Sequence, residues 1–220
     1  PMSARRQRQM CIRDSYSPFK LTLPSMKRIF DILVSSIVLL IFLPFGLIVS
    51  LLIILESRGG AFYIQERVGR YGHPFGLYKF RTMRKDADKE GKLTVGMRDR
   101  RITRIGYFLR KTKLDEFPQF LNVLKGEMSI VGPRPEVQEY VDYYTKEQME
   151  ILDVRPGITD YASLEYFEEN KLLGESDDPQ KTYIEDIMPA KILLNKKYLE
   201  RPTVGHDLQI MWKTFLKIIQ

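Results

Sequence analysis

The chain has 220 residues, a formal net charge of +7, a pI near 9.4 and a single cysteine, Cys11. One cysteine excludes an intramolecular disulfide and a multi-cysteine metal site, and only two histidines argue against a histidine-based zinc site. Beside the apolar segment described below, the positive charge indicates contact with anionic lipid headgroups and an anionic substrate rather than with nucleic acid.

The first 24 residues are polar, basic and without periodicity, and they resemble a disordered leader or a cloning remnant. We expect residues 1–24 to be disordered and leave them out of fold reasoning. A cleavable signal peptide is not expected, because the apolar run that follows is too long and lacks a small-residue cleavage site.

Residues 32–55 contain no charged residue, and no other uncharged run in the chain is as long. Roughly 20 apolar residues suffice to cross a bilayer core, so this run predicts a membrane-embedded helix. The alternative is a central helix of a soluble domain. Such helices usually carry a polar stripe, whereas this run has only scattered serines.

Pro44 divides the apolar run, because a proline within a helix removes a backbone hydrogen bond and clashes with the preceding turn. Neither arm crosses the bilayer core alone, which leaves a kinked span or a re-entrant hairpin that returns to the same face. Basic residues mark the cytoplasmic side of membrane segments, and both flanks are basic. We therefore predict a Pro-broken re-entrant helical hairpin over 25–56 with both flanks cytoplasmic. Ser35 or Ser36 could satisfy the carbonyls that the break frees.

Residues 57–220 predict a cytoplasmic catalytic domain that is mainly α with a small β-hairpin, an α+β fold. The hairpin comes first, from the β-prone pieces Ala61–Gln65 and Pro74–Arg81 on either side of a turn-rich segment. Residues 85–100 are charged and predict a mobile loop or a polar helix.

Amphipathic helical patterns follow. One begins near Arg101 and is basic, so it either lies in the headgroup region or packs on the core with a solvated basic face. A second begins near Asp115 and ends at Gly126. The patterns over 136–152 and 189–217 are also helical, and the last of them suits the membrane interface. The segments that predict loops are the Pro-rich 129–136 and 155–159.

Asp115 and Glu116 are adjacent carboxylates at a predicted helix start. Helix N-termini favour negative charge, their free N–H groups help hold phosphate, and an ionised pair beside phosphate suits hydrated Mg²⁺. Adjacent acids at a helix start are commonly caps, so the pair alone carries little weight.

Several cations strengthen the interpretation. Arg134 lies between two prolines, which reduce the entropy lost when its planar fork is ordered on phosphate. Lys79, Arg81 and Arg110 add positive charge. Two carboxylates, several cations and a membrane segment together predict phosphoryl chemistry on a lipid.

Five motifs resemble those of the bacterial monotopic polyprenyl-phosphate phosphoglycosyl transferases, the PglC-like initiating sugar transferases of glycan assembly. The resemblance extends from about Lys27 to the C-terminus. The motifs are KRxxD from Lys27, FYxQxRVG over Phe62–Gly69, KFRTM over Lys79–Met83, the run Arg110–Glu136 with DEFPQ and GPRPE, and RPGIT over Arg155–Thr159.

This resemblance implies transfer of a sugar 1-phosphate from a UDP-sugar to undecaprenyl phosphate, with release of UMP, in a ping-pong reaction that uses Mg²⁺. It implies Asp115 as the nucleophile of an aspartyl phospho-sugar intermediate, and Asp115 with Glu116 as the metal site. The residues implied to bind substrate phosphate are Lys79, Arg81, Arg110 and Arg134. Those implied to form a substrate-binding loop are Pro133, Pro135 and Glu136. Those of the membrane hairpin are Lys27, Arg28, Asp31 and Pro44.

The resemblance also implies the cytoplasmic face of the bacterial inner membrane, with membrane lipids as partners. Two positions depart from the family pattern: Leu43 stands where some members have a serine, and Asp160-Tyr161 where Gly-Trp is usual. The sequence leaves open the sugar, the oligomeric state, with a homodimer as one option, and whether an acid of Asp177–Asp178 serves the site. Two other functions also stay open: a metal-only lipid phosphotransferase and a non-enzymatic membrane scaffold.

Overall fold

The computed structural model describes residues 25–85, 87, 99–200 and 203–219. The predicted leader and most of the predicted 85–100 loop lie outside these residues. Within them the fold is mainly helical with a small antiparallel hairpin, as predicted.

The apolar run forms one helix, α1 (Ser25–Glu56), which continues through Pro44. The predicted break is therefore not a break in secondary structure, because a proline can deform a helix without ending it. Near the proline, Ser50 Oγ donates to the Gly46 carbonyl over 2.7 Å, whereas Ser35 Oγ is buried with no partner among the described residues. The re-entrant geometry stays a prediction.

The surface of α1 excludes the alternative of a buried core helix. Only 11% of its most apolar 18-residue window is buried, although the helix is long and apolar enough to cross a membrane. Side chains such as Leu40, Ile41 and Leu55 are more than two-thirds exposed. So much contiguous apolar surface requires a covering, and a membrane is the covering that fits.

The polar side chains at both ends of α1 bond to the rest of the protein. At its start Lys27 pairs with Asp207 and donates to the Val131 carbonyl over 3.1 Å, and Asp31 accepts from Ser129 Oγ over 2.8 Å. Arg28 donates to the carbonyls at the end of the helix over 119–125. At its other end Glu56 accepts two backbone N–H bonds, from residues 104 and 105, at 2.8 and 3.0 Å. Both ends of α1 are thus bonded to the same folded unit.

The predicted hairpin is present as strands β1 (Phe62–Val68) and β2 (Pro74–Phe80), with Phe62 opposite Phe80 and Val68 opposite Pro74. It leads to helix α2 (Arg104–Lys111), whose Thr103 cap accepts from the Gly106 N–H. A Cβ at Gly106 would lie 2.0 Å from the Thr82 carbonyl oxygen, so only glycine lets α2 pack this closely.

Helix α2 packs on the core, and its position in the headgroup region stays a prediction. Leu109 is fully buried in a cluster with Phe80, Val49 and Ile53, while Phe108 is 53% exposed. Its apolar residues therefore serve both the core and the exposed surface. Helix α3 (Gln119–Lys125) begins later than predicted, because a 3₁₀ turn over Leu114–Glu116 precedes it, and it ends at Gly126 as expected.

Two segments predicted to be loops form a parallel pair instead. Strands β3 (Ser129–Val131) and β4 (Gly157–Thr159) pair with Ser129 opposite Gly157. A Cβ at Gly157 would lie 2.1 Å from the Gly132 backbone nitrogen, so the pairing depends on a missing side chain. The sequence signal is weak because the strands are short and flanked by prolines.

The predicted helix over 136–152 is instead a short α4 (Gln138–Val141) and a 3₁₀ segment over Gln148–Asp153. The predicted helix over 189–217 is two helices, and Pro202 lies in the sequence between them. The remaining α-helices of the described residues are α5 (Tyr161–Glu165), α6 (Glu169–Gly174), α7 (Pro179–Thr182), α8 (Met188–Leu199) and α9 (Val204–Ile219). A π-helix over Tyr183–Ile187 joins α7 to α8.

Candidate active site

The two adjacent carboxylates lie on the 3₁₀ turn over Leu114–Glu116. The chain enters this turn through Lys113 in the left-handed region, at φ 56° and ψ 15°. Such a conformation is uncommon for a residue other than glycine. It turns the chain between α2 and α3 so that both carboxylates line a cavity of about 530 Å³.

Glu116 is held by two cations from separate parts of the chain. Arg134 donates through both terminal nitrogens to both carboxylate oxygens, with Nη1 at 3.2 Å from Oε2, and Lys79 Nζ lies 3.4 Å from Oε1. Burial by itself would raise the pKa of Glu116, but Arg134 and Lys79 outweigh it and hold the pKa well below its usual range. Glu116 is therefore an ionised and immobilised carboxylate.

Asp115 has the opposite electrostatic character. Its side chain is buried, and burial together with the charge of Glu116 raises its pKa to about 6, although Lys79, Arg110 and Lys113 act in the lowering direction. Two neighbouring carboxylates whose pKa values are moved apart are typical of sites where the two have different roles.

The cations reach the cavity from three elements. Lys79 lies at the end of β2, and burial lowers its pKa to about 8. Arg110 lies at the end of α2, where burial lowers the pKa of its guanidinium. Arg134 follows β3, and its backbone N–H donates to Asp160 Oδ2 over 3.1 Å, so the β3–β4 pairing fixes its position.

The cavity is also lined by a second polar cluster around Glu136. Tyr183 Oη donates to Glu136, and Arg67 Nη1 lies 3.6 Å from Glu136 Oε2 and donates to the Pro135 carbonyl over 3.0 Å. Lys191 Nζ donates to Glu169 Oε2 over 2.8 Å. This cluster offers charged groups of both signs to a ligand that occupies the cavity.

The two carboxylates suit a magnesium ion that takes its remaining ligands from water and substrate. Within the described residues, no group of three or more His, Cys, Asp or Glu side chains could hold a metal ion. Mg²⁺ commonly takes one or two carboxylates and completes its shell with water and substrate phosphates. Asp115 and Glu116 fit that arrangement and do not form a complete protein cage.

The family described as "Bacterial sugar transferase" matches residues 23–220. The chain is 36% identical over 197 residues to the UDP-N-acetylgalactosamine-undecaprenyl-phosphate N-acetylgalactosaminephosphotransferase of Aeromonas hydrophila, covering 88% of this chain and 44% of that protein. The chain belongs to the bacterial sugar transferase family.

The other relatives of the chain differ from one another in length. It is 34% identical over 195 residues to the UDP-glucose:undecaprenyl-phosphate glucose-1-phosphate transferase of Escherichia coli (strain K12), covering 87% of this chain and 40% of that protein. It is 33% identical to the exopolysaccharide production protein ExoY of Rhizobium meliloti (strain 1021), covering 86% of this chain and 83% of that protein. The chain thus spans less than half of the first two relatives.

The structure brings most, but not all, of the predicted site residues together around the cavity. The predicted residues that line the cavity are Lys79, Arg110, Asp115, Glu116, Arg134 and Glu136. Pro133 and Pro135 are held in place through their carbonyls. The Pro133 carbonyl accepts from the Gly157 N–H over 2.9 Å, and the Pro135 carbonyl accepts from Arg67.

Arg81 does not line the cavity. It follows the end of β2, and its guanidinium bends back to donate to the carbonyls of Gly60 and Phe62 at 3.0 and 3.1 Å. The prediction that it binds substrate phosphate is therefore not supported by its position. Of the hairpin residues, Lys27, Arg28 and Asp31 bond to the domain as described above, and Pro44 lies on the exposed surface of α1.

Neither Asp177 nor Asp178 lines the cavity. Asp178 caps α7, accepting from the Lys181 N–H over 3.0 Å, whereas Glu169 lines the cavity and pairs with Lys191. Sequence reasoning missed Glu169, Lys191 and Arg67. Arg67 lies within the FYxQxRVG motif and could have been found there, but no local pattern indicates the pairing of Glu169 with Lys191.

Proposed function

We propose that this sugar transferase moves a sugar 1-phosphate from a UDP-sugar to undecaprenyl phosphate and releases UMP, through a covalent intermediate on Asp115. The observation that carries the proposal is the division of roles between two adjacent carboxylates. Glu116 is engaged by Arg134 and Lys79, while Asp115 lies in the same cation-lined cavity with a pKa of about 6. A carboxylate of that pKa is mostly ionised at neutral pH and is a stronger nucleophile than an ordinary one.

In the first step an Asp115 oxygen attacks the β-phosphorus of the UDP-sugar. The bond from this phosphorus to the bridging oxygen breaks, UMP leaves with that oxygen, and the sugar phosphate stays on Asp115. In the second step a phosphate oxygen of undecaprenyl phosphate attacks the same phosphorus. The bond to Asp115 breaks, the carboxylate is restored, and undecaprenyl diphospho-sugar is the product.

The cations around Asp115 support both steps. Lys79, Arg110 and Arg134 place fixed positive charge where the phosphoryl oxygens gain negative charge in the transition state. Their positions are set before substrate binds, since Arg134 is held by Glu116 and by Asp160. Mg²⁺, held by Asp115 and Glu116 together with the diphosphate, would supply further positive charge to the leaving UMP.

The attachment of α1 supports a monotopic arrangement at the cytoplasmic face of the inner membrane. Lys27 and Glu56, near opposite ends of the helix, are both bonded to the domain that carries Asp115. If that domain stays outside the bilayer, both ends of α1 lie on its side, as the re-entrant hypothesis requires. The cytoplasmic side is where UDP-sugars are available.

A UMP-release screen tests the proposal. Purified protein in lipid vesicles containing undecaprenyl phosphate and Mg²⁺ is offered a panel of UDP-sugars, including UDP-glucose and UDP-N-acetylgalactosamine. We expect UMP release with at least one of them, none from Asp115→Asn, and normal release from Asp142→Asn, the same substitution at an exposed position. Release by Asp115→Asn would favour the metal-only phosphotransferase, and no release with any donor would favour the scaffold.

A further inference from the structure

A second cavity, of about 360 Å³, lies beside the polar one and has a different chemistry. It is bounded by the start of α3, by β3 and β4, by α5 and by α9. Most of its wall is apolar. Its apolar lining includes Phe120, Ile130, Ile158, Met211, Phe215 and Ile218.

The two cavities meet at the charged groups of the candidate active site. Both are lined by Glu116, Arg134, Lys113 and Lys191. A ligand that places a phosphate at this junction can therefore extend an apolar tail into the second cavity while the phosphate faces Asp115 and Glu116.

Two of the polar side chains on the apolar wall are already paired. Thr159 and Thr214 share a hydrogen bond of 2.7 Å, and Thr214 also donates to the Ile210 carbonyl. Ser163 Oγ is buried with no partner among the described residues. It lies at the end of the cavity near Arg134, because the Asp160 carboxylate accepts from the backbone N–H groups of both Arg134 and Ser163. A sugar or a base in this cavity would bury unpaired polar groups at a cost, whereas a hydrocarbon chain would not.

The second cavity is flanked by surfaces that suit a membrane. On α9, Phe215 is 53% exposed and Ile218 39% exposed, and Trp212 beside them is 60% exposed and stacks on Phe215. On the other flank, Phe117 stacks on Phe42 of α1 with 4.0 Å between ring centroids. A hydrocarbon chain can pass from a bilayer into the cavity without leaving an apolar environment.

We propose that this cavity binds the isoprene units next to the phosphate of the polyprenyl phosphate acceptor. The inference rests on the proposed function and assigns a place to its second substrate. The cavity lies at the small end of the volume range usual for ligand sites, roughly 300 to 1,000 Å³, so it takes only the first part of a long chain. The rest of the chain stays in the bilayer, and the two substrates reach Asp115 through separate cavities.

Filling the apolar cavity tests the proposal. Ile158→Trp and Met211→Trp are compared with Leu193→Trp, which places the same side chain at a 70% exposed position outside both cavities. The donor half-reaction is followed as exchange of labelled UMP into a UDP-sugar without acceptor, and the full reaction as transfer to undecaprenyl phosphate in vesicles. Dimethylallyl phosphate, whose tail is one isoprene unit, serves as a short acceptor.

We expect both cavity variants to keep donor exchange within about two-fold of the unsubstituted protein and to lose about ten-fold or more in kcat/KM for undecaprenyl phosphate. That is the loss when about two buried CH₂ groups lose their contacts. The kcat/KM for dimethylallyl phosphate should fall less, because its single isoprene unit makes fewer contacts with the cavity. Retained exchange shows that the variants are folded.

Unchanged transfer to undecaprenyl phosphate, or equal loss of exchange and transfer, would overturn the assignment of the cavity. Absence of exchange in the unsubstituted protein would instead overturn the proposed function, so the two failures are distinguishable.

Discussion

Replacing Asp115 by asparagine should abolish activity and at the same time stabilise the fold at neutral pH. Burial and Glu116 raise the pKa of Asp115 from 3.8 to about 6. Because the folded-state pKa lies above the ordinary value, this group favours folding fully below about pH 4, and that contribution is lost as the pH rises through about 6. At pH 7.5 the ionised Asp115 therefore lowers the free energy of unfolding by about 3 kcal/mol, at about 1.4 kcal/mol for each unit by which the pKa is raised. Asparagine has nearly the same shape and does not ionise.

The neighbouring carboxylate should behave in the opposite way. Glu116→Gln leaves the partly buried cations Arg134 and Lys79 with a neutral partner. The cost should lie between the roughly 1 kcal/mol of an exposed ion pair and the about 3–5 kcal/mol of a fully buried one. Two adjacent and chemically similar substitutions should therefore change the free energy of unfolding in opposite directions.

The assay is thermal unfolding of both variants and of Asp142→Asn in the same detergent micelles, at pH 7.5 and pH 4. For a chain of this size about 1 kcal/mol moves Tm by roughly 2–4 °C. We expect Asp115→Asn to raise Tm by roughly 6–12 °C at pH 7.5 and by little at pH 4, with Asp142→Asn unchanged at both. A lower Tm for Asp115→Asn at pH 7.5, or the same shift in Tm at both pH values, would refute the conclusion that burial and Glu116 raise the pKa of Asp115.

Three further predictions concern the site and the attachment of α1. The kcat/KM of the donor half-reaction should rise with pH through about 6, as Asp115 ionises, and fall above about 8, as Lys79 loses its charge; a profile flat between pH 5 and 9 would contradict these roles. Asp207→Asn leaves Lys27 buried beside a neutral group and should cost about 3–5 kcal/mol of stability, measured by thermal unfolding against Asp142→Asn; a cost below about 1 kcal/mol would mean that the pair does not hold α1. EDTA should abolish UMP release and added Mg²⁺ should restore it, whereas continued release in EDTA would exclude the metal from the reaction.

Local patterns predicted those parts of the fold that depend on local chemistry. The hairpin, the apolar helix and the end of α3 at Gly126 all follow from periodicity and turn residues. The parallel pair of β3 and β4 could not be predicted, because it joins two three-residue strands far apart in the sequence and depends on Gly132 and Gly157 approaching closely.

The site shows the same division between local and long-range information. Asp115, Glu116 and Arg134 were found from their motifs, since each lies in a distinctive local sequence. Glu169 and Lys191 come from α6 and α8 and meet only in the folded chain, so no spacing indicates them. Asp160 departs from the family pattern, and in the structure its carboxylate accepts backbone N–H bonds from Arg134 and from Ser163 in the first turn of α5. It therefore helps to position Arg134, which the sequence did not indicate.

The most direct test of the central claim is to trap the sugar phosphate on the protein. The purified chain is incubated with Mg²⁺ and a UDP-sugar identified by the UMP-release screen, without acceptor, and its intact mass and peptides are measured. We predict a gain of one sugar phosphate on the peptide that contains Asp115, its absence from Asp115→Asn, and its loss when undecaprenyl phosphate is added. Full turnover by a protein that never carries the adduct, or an adduct on another residue, would contradict the proposed mechanism.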